Sequence, residues 1–231
     1  LKLIKTSSII LIFPFIMKKN TIRIKSIQYL TGFILFVSLL LCACISNKSF
    51  YTKKIACLGP MGSFTHQAAG NKFPSQILVF QNSIEDCFVS VRSGSVEKAV
   101  VPLKNSIGGV VLATERALKE FSDLKIEDSV ELPISQNLMI VPGTVAVRKI
   151  YSHPQALRQS RHFLDSLYPV IPRIEYSSTS AAAKWVSEHP EEKAAAIANS
   201  EAAKLYKLKV IYTDIHDDKN NKTKFIIISK K

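Results

Sequence analysis

The chain has 231 residues with 31 basic and 18 acidic side chains, a formal net charge of +13 at pH 7. That length allows one large domain or two small lobes. Beyond position 44 the basic residues are scattered without a run or stripe, which argues against nucleic-acid binding. No pair of histidines or cysteines has metal-ligand spacing. Neither a Gly-x-Ser-x-Gly elbow, a P-loop nor a dinucleotide fingerprint is present.

The first 44 residues stand apart. They contain Lys2, Lys5, Lys18, Lys19, Arg23 and Lys25 and no acid. The apolar run Ile27 to Leu41 follows the basic group at Met17 to Lys25 and ends in Leu41-Cys42-Ala43-Cys44. A charged region, an apolar region and a small-residue junction, in that order, are expected of a secretory signal. The junction resembles the bacterial lipoprotein signal, with Cys44 as the lipidated residue and Leu41 three before it. A plain signal peptide or a single N-terminal anchor also fits. Met17 has the look of the natural start. The expectation is an exported protein on the periplasmic side, tethered to the membrane through residues 45–53. The remainder then holds 25 basic against 18 acidic residues, a net charge of +7, which favours anionic ligands or a nearby anionic membrane. Cys57 and Cys87 sit in apolar contexts and read as buried free thiols, although an oxidising compartment permits a bridge.

From Lys54 the chain alternates strand and helix. Lys54 to Leu58 is an apolar run stopped by Gly59-Pro60 and reads as a buried strand. Met61 to His66 offers hydroxyl caps for a helix through Gln67 to Ala69. Ile77 to Phe80 is a second strand, and Ser83 caps a helix over Ile84 to Arg92 with Glu85 and Asp86 in its first turn. Lys98 to Leu103 is a third strand running into the turn Lys104 to Gly109. Val110 to Phe121 has helical spacing, and Lys125 to Ile140 crosses between lobes. The pattern restarts with a strand end at Ile150 to Ser152 and a helix opened by His153-Pro154-Gln155 that runs to about Leu167. A strand follows at Arg173 to Tyr176, then a helix over Ala181 to His189 capped from Ser177 to Ser180. Next come a strand at Ala194 to Ala198, a helix at Glu201 to Leu208 and a strand at Val210 to Tyr212. A polar loop leads to the last strand, Lys224 to Ser229. Such alternation predicts an α/β protein of two lobes of mainly parallel sheet flanked by helices, with a cleft between them.

Three junctions share one composition: Gly59 to Thr65, Asn105 to Gly109 and Ser177 to Ser180. Each offers hydroxyls, an amide or glycines where a strand hands over to a helix, and parallel α/β sheets bind ligands there because free helix N–H groups point outward. Any one of them is explained by helix capping alone. Three facing one cleft would hold a small carboxylate. His153, ahead of a proline at a helix start, reads as structural, and His66 as a capping or cleft residue.

Taken together, Gly59 to Ala69, Val101 to Gly109, Leu132-Pro133-Ile134, Tyr151 to Leu157, Ser178-Thr179 and Thr223-Lys224-Phe225 resemble prephenate dehydratase. The resemblance covers residues 54 to 229 with every block in family order. It implies a two-lobed fold related to type II periplasmic binding proteins, with lobe 1 at about 54–134 and 213–231 and lobe 2 at about 135–212. It implies conversion of prephenate, a dicarboxylate, to phenylpyruvate in the interlobe cleft, with no metal or organic cofactor. By resemblance Thr223 hydrogen-bonds the departing hydroxyl. Ser63, Asn105, Ser106, Ser178 and Thr179 supply donors, Lys224 the cation, and Phe225 packs near the ring. A homo-oligomer is also implied, whereas the regulatory ACT domain that often follows in the family is not expected. There are departures. The family arginine is Lys224, which has no bidentate fork. Its Glu-Asn-Ser is Lys104-Asn105-Ser106, its Gly-Thr-Phe is Gly62-Ser63-Phe64, and its histidine two after Leu-Pro-Ile is Gln136. Lys104, beside the cleft, is expected to supply the missing cation or to mark a different anion. An exported, non-catalytic binding protein for a small aromatic carboxylate is the alternative.

Overall fold

The computed structural model describes residues 53–231; Cys44 and the signal-like segment lie outside them. One sheet holds β1 (Lys54–Leu58), β2 (Ile77–Gln81), β3 (Lys98–Asn105), the two-residue β4 (Gly109–Val110), β5 (Leu124–Pro133) and β11 (Lys222–Lys230), in the order β2-β1-β3-β11-β5 with β4 paired to β3. The other holds β6 (Asn137–Ile140), β7 (Lys149–Ser152), β8 (Arg173–Glu175), β9 (Ala194–Ala198) and β10 (Lys209–Tyr212), in the order β10-β6-β9-β7-β8. The chain passes from the first sheet to the second at residues 134–136 and returns at residues 213–221. The two passages run side by side: Ile134 N donates to Asn221 O (2.9 Å) and Ile215 N to Gln136 O (2.8 Å).

Helices cover the sheets because their apolar residues recur at helical spacing. In lobe 1, α1 (Phe64–Lys72) buries Thr65, Ala68 and Ala69. There α2 (Ile84–Ser93) buries Ile84, Cys87, Phe88 and Val91, and α3 (Leu112–Glu120) buries Thr114 and Ala117. Lobe 2 has α4 (Pro154–Gln159), α5 (Arg161–Leu167), α6 (Thr179–Glu188) and α7 (Ser200–Leu205). Each sheet is packed on both faces. Phe121, Ile226 and Ile228 meet Phe88 of α2 and Ala117 of α3, and Ile55, Val100, Phe225 and Ile227 meet α1. In lobe 2 the wholly buried strand Ala-Ala-Ala-Ile-Ala lies between two clusters, its small side chains leaving room for α6 on one side and α4 on the other.

The two-lobed α/β expectation holds, but the sheets are mixed rather than mainly parallel. β1 pairs parallel with β2 and β3, whereas β11 runs antiparallel to β3 and β5. In lobe 2, β7 is parallel to β8 and β9, and β6 antiparallel to β9 and β10. The cause is the returning chain. A strand that re-enters lobe 1 from lobe 2 comes in from the cleft end, opposite to strands that leave toward it. The single helix expected from Pro154 to Leu167 is two, separated at Ser160, which is fully buried with helix-incompatible backbone angles (φ −113°, ψ 20°). The turn at 105–109 leads into a hairpin with β4 before α3 begins, rather than directly into a helix.

Candidate active site

The lobe 1 wall depends on an irregularity. Opposite β11, Lys104 pairs with Lys224 but Pro102 with Phe225, so Leu103 is an extra residue, a β-bulge. Strict alternation would put Pro102 and Asn105 on opposite faces of the strand. The bulge puts both on the cleft face, turns Leu103 into the core beneath α2 and α3, and leaves Lys104 exposed.

Asn105 is pinned at both ends of its carboxamide. Its Oδ1 accepts from Ile107 N (3.0 Å) and Gly108 N (2.7 Å), so its Nδ2 must face the returning strand. There it donates to Thr223 Oγ1 (2.9 Å), Asn221 Oδ1 (2.8 Å) and Lys222 O (3.2 Å). Thr223 is buried and pairs with Asn105 across the ladder. A hydroxyl that accepts one bond has its own proton free to donate elsewhere, and Thr223 lines the cavity. Ser106 lies behind this arrangement: its Oγ accepts from Lys222 N (3.0 Å) and donates to Asn221 Oδ1 (3.4 Å).

Helix starts complete the enclosure. Ser63 caps α1, its Oγ accepting from His66 N (3.1 Å), and Ser178 caps α6 by accepting from Ala181 N (3.0 Å). Because a helix offers no carbonyl to its first amides, those of Phe64 and Thr65 from one lobe and Thr179 from the other remain as donors at positively polarised ends. The cavity between them has a volume of about 400 Å³ and is lined from both lobes, by Ser63, Thr65, Pro102, Asn105, Thr223 and Phe225 on one side and Gln136, His153, Gln155, Gln159, Ser178 and Thr179 on the other. Among the described residues, no lysine, arginine, aspartate or glutamate lines it. His153 caps α4 by accepting from Gln155 N (3.2 Å), and burial first, then Arg158, lowers its pKa, which keeps the ring neutral near pH 7. The site therefore attracts anions through amide and hydroxyl dipoles rather than through net charge.

The lobes also meet at the rim. Met61 O accepts from Ser180 Oγ and from Tyr206 Oη (3.0 Å). Gly62 adopts φ +82°, and a Cβ there would lie 2.6 Å from Ser180 Oγ, so glycine is needed both for the turn and for the contact. The Gly62 amide donates to His66 Nδ1 (3.0 Å), and the His66 ring lies edge-on to Phe80 at 5.0 Å. Its pKa is lowered, chiefly by burial.

Of the residues singled out in the sequence, Ser63, Asn105, Ser178, Thr179, Thr223 and Phe225 come together around the cavity. Two do not. Lys224 is exposed on the opposite face, between Lys104 and Glu131 on neighbouring strands, because it alternates with the inward Thr223 and Phe225. Ser106 is exposed and holds Asn221 and Lys222 instead of the cavity. Lys104, turned outward by the bulge, supplies no cation to the wall. His153, read as structural, is both cap and wall. Gln155, which no charge or hydroxyl marks in the sequence, and Gln136, noted there only for its place after Leu132-Pro133-Ile134, also reach the wall.

Comparison with known proteins gives a consistent picture. Residues 55–231 match the family model for prephenate dehydratase. The chain is 41% identical over 177 residues to the prephenate dehydratase of Lactococcus lactis subsp. cremoris, covering 77% of this chain and 63% of the relative. It is 38% identical over 181 residues to that of Bacillus subtilis, covering 76% and 64%. The chain thus spans a little under two thirds of the length of these curated relatives. Among solved structures, the prephenate dehydratase of Arthrobacter aurescens in complex with L-Phe superposes with a TM-score of 0.72 at 29% identity, covering 77% of this chain and 60% of that one.

Proposed function

Because the chain belongs to the prephenate dehydratase family, we propose that it is a carbon–oxygen lyase converting prephenate to phenylpyruvate, carbon dioxide and water. The observation that carries this reading is Thr223, whose oxygen accepts from Asn105 and whose proton is thereby free for a ligand in the cavity. In the reaction the bond from ring C1 to its carboxylate breaks, and its electron pair enters the ring. The C4–O bond breaks with its pair going to oxygen, and one proton completes water. Threonine does not ionise near neutrality, so Thr223 acts by hydrogen-bonding the departing oxygen as charge develops on it, with the net proton coming from solvent. Helix starts α1 and α6, one from each lobe, suit the two carboxylates of the substrate, and buried Phe225 supplies an apolar surface at the ring. Aromatisation provides the driving force. The walls provide orientation and exclude water.

The test follows phenylpyruvate formation by the full chain and by Thr223→Ala. Turnover by the parent that is lost in the variant supports the proposal. Tight binding of an aromatic carboxylate without any turnover would mark a binding protein instead. We also propose export and lipid attachment at Cys44, on the strength of the basic and apolar order ending in Leu41-Cys42-Ala43-Cys44. Cys44→Ala should then move the protein out of the membrane fraction, and retention there would sink the attachment.

A further inference from the structure

Gln136 has no part in the chemistry above. It follows Ile134 and Ser135 in the first passage between lobes, where its backbone is committed: its carbonyl accepts from Ile215 N (2.8 Å) and its amide donates to His216 Nδ1 (3.4 Å). The side chain reaches the wall of the interlobe cavity. It is 3% exposed, and its Oε1 is sealed from solvent without any donor. Buried carboxamides normally find partners, because leaving one unmade forfeits its hydration with nothing in return. A carboxamide placed in a cavity wall with its oxygen enclosed has Nε2 as the polar atom left for whatever fills the cavity.

The groups that share the wall say what that occupant carries. The first-turn amides of Phe64, Thr65 and Thr179 and the hydroxyl of Thr223 are all available as donors, and no lining side chain is ionised at neutral pH among the described residues. An amino group brought here would find positively polarised helix ends and no carboxylate. An anionic oxygen would find donors on every side.

We propose that Gln136 is a ligand-binding, specificity-determining residue, its Nε2 donating to the side-chain carboxylate that the dicarboxylate substrate shares with phenylpyruvate. The identity of that ligand rests on the dehydratase reading of the cleft, while the donor role rests on the carboxamide and the helix starts. Oε1 keeps no bond in the free protein, so the residue contributes nothing to folding that an apolar side chain of equal length would not.

Calorimetry of the full chain with phenylpyruvate as probe tests this, with thermal melts of the ligand-free proteins alongside. Gln136→Met should weaken the probe roughly tenfold, the loss of one hydrogen bond, while the ligand-free melting temperature stays level or rises. Gln136→Glu should weaken it further, on the order of 100-fold, by setting like charges together. Unchanged affinity in Gln136→Met overturns the proposal, as does tolerance of Gln136→Glu. Should Gln136→Met fail to fold, Gln136→Asn, which withdraws the donor by one methylene, must show the same weakening, and an unaltered affinity there overturns the proposal too. The two readings fail separately. A parent that binds the probe through Gln136 yet does not turn over prephenate refutes the activity and leaves this role standing. A parent that does not bind the probe at all refutes the role.

Discussion

The two walls of the cleft are made differently. The lobe 1 wall sits on the long central strands β3 and β11, where Asn105, Thr223, Asn221 and Ser106 are tied by side-chain hydrogen bonds over a core of phenylalanine and isoleucine. The lobe 2 wall consists of helix starts and loop ends over an alanine-rich strand, each donor held by its own cap and little else. Cross-tied strands hold an atom to within the tolerance that bond breaking demands, while capped helix ends supply a general attraction for negative charge that survives small displacements. On the proposed reaction, bond breaking would fall to the cross-tied strands of lobe 1, and attraction of the carboxylates to the helix starts, α1 on lobe 1 and α6 on lobe 2.

Substitutions can break this contrast. The largest effect is expected from Thr223→Ala, which removes the donor to the leaving oxygen and should lower kcat by roughly 10²–10³-fold with KM little changed. Next is Asn105→Ala, which unties Thr223 from its orientation and should cost roughly 10–100-fold, again in kcat. On lobe 2, Ser178→Ala removes the cap of α6; it should lower stability by about 1 kcal/mol in denaturant titrations and act on activity through KM. If Ser178→Ala instead lowered kcat as much as Asn105→Ala does, the division of labour between the walls would be wrong. The smallest effect belongs to Lys224→Ala. With its side chain exposed away from the cavity, stability should move by no more than about 0.5 kcal/mol and kcat/KM should remain near the parent value.

The element order and the two-lobed plan could be read from apolar runs and caps because those signals are local: Ser63, Ser83 and Ser178 each cap the helix that their position announces. The pairing of hydroxyl-rich junctions around one cavity also followed from composition at strand ends. What could not be read was anything set by register. Lys224 looked like a site residue because it stands in place of the family arginine between Thr223 and Phe225, yet a strand sends neighbours to opposite faces. Lys104 looked like a replacement cation because it stands beside Asn105 and Ser106 in place of the family glutamate, and only the partner strand reveals the bulge at Leu103 that turns it outward. The antiparallel return of β11 depends on where the chain re-enters lobe 1, which no local pattern records. Gln136 was marked in the sequence only as a departure from the family histidine, and its role stayed hidden because an amide side chain in a loop is ordinary until its surroundings are shown to lack a partner for it.

The bulge at Leu103 makes the character of the wall depend on strand length. One residue inserted between Lys224 and Phe225 would square the register of β3 with β11, and everything on the cleft side of that point would change face. Lys104 and Lys224 would then look into the cavity in place of Asn105 and Thr223. A cleft of neutral donors and a cleft of cations are thus separated by a single codon of strand length, with no side chain altered. The count of residues in the two strands, as much as their identity, decides which side chains face the cavity.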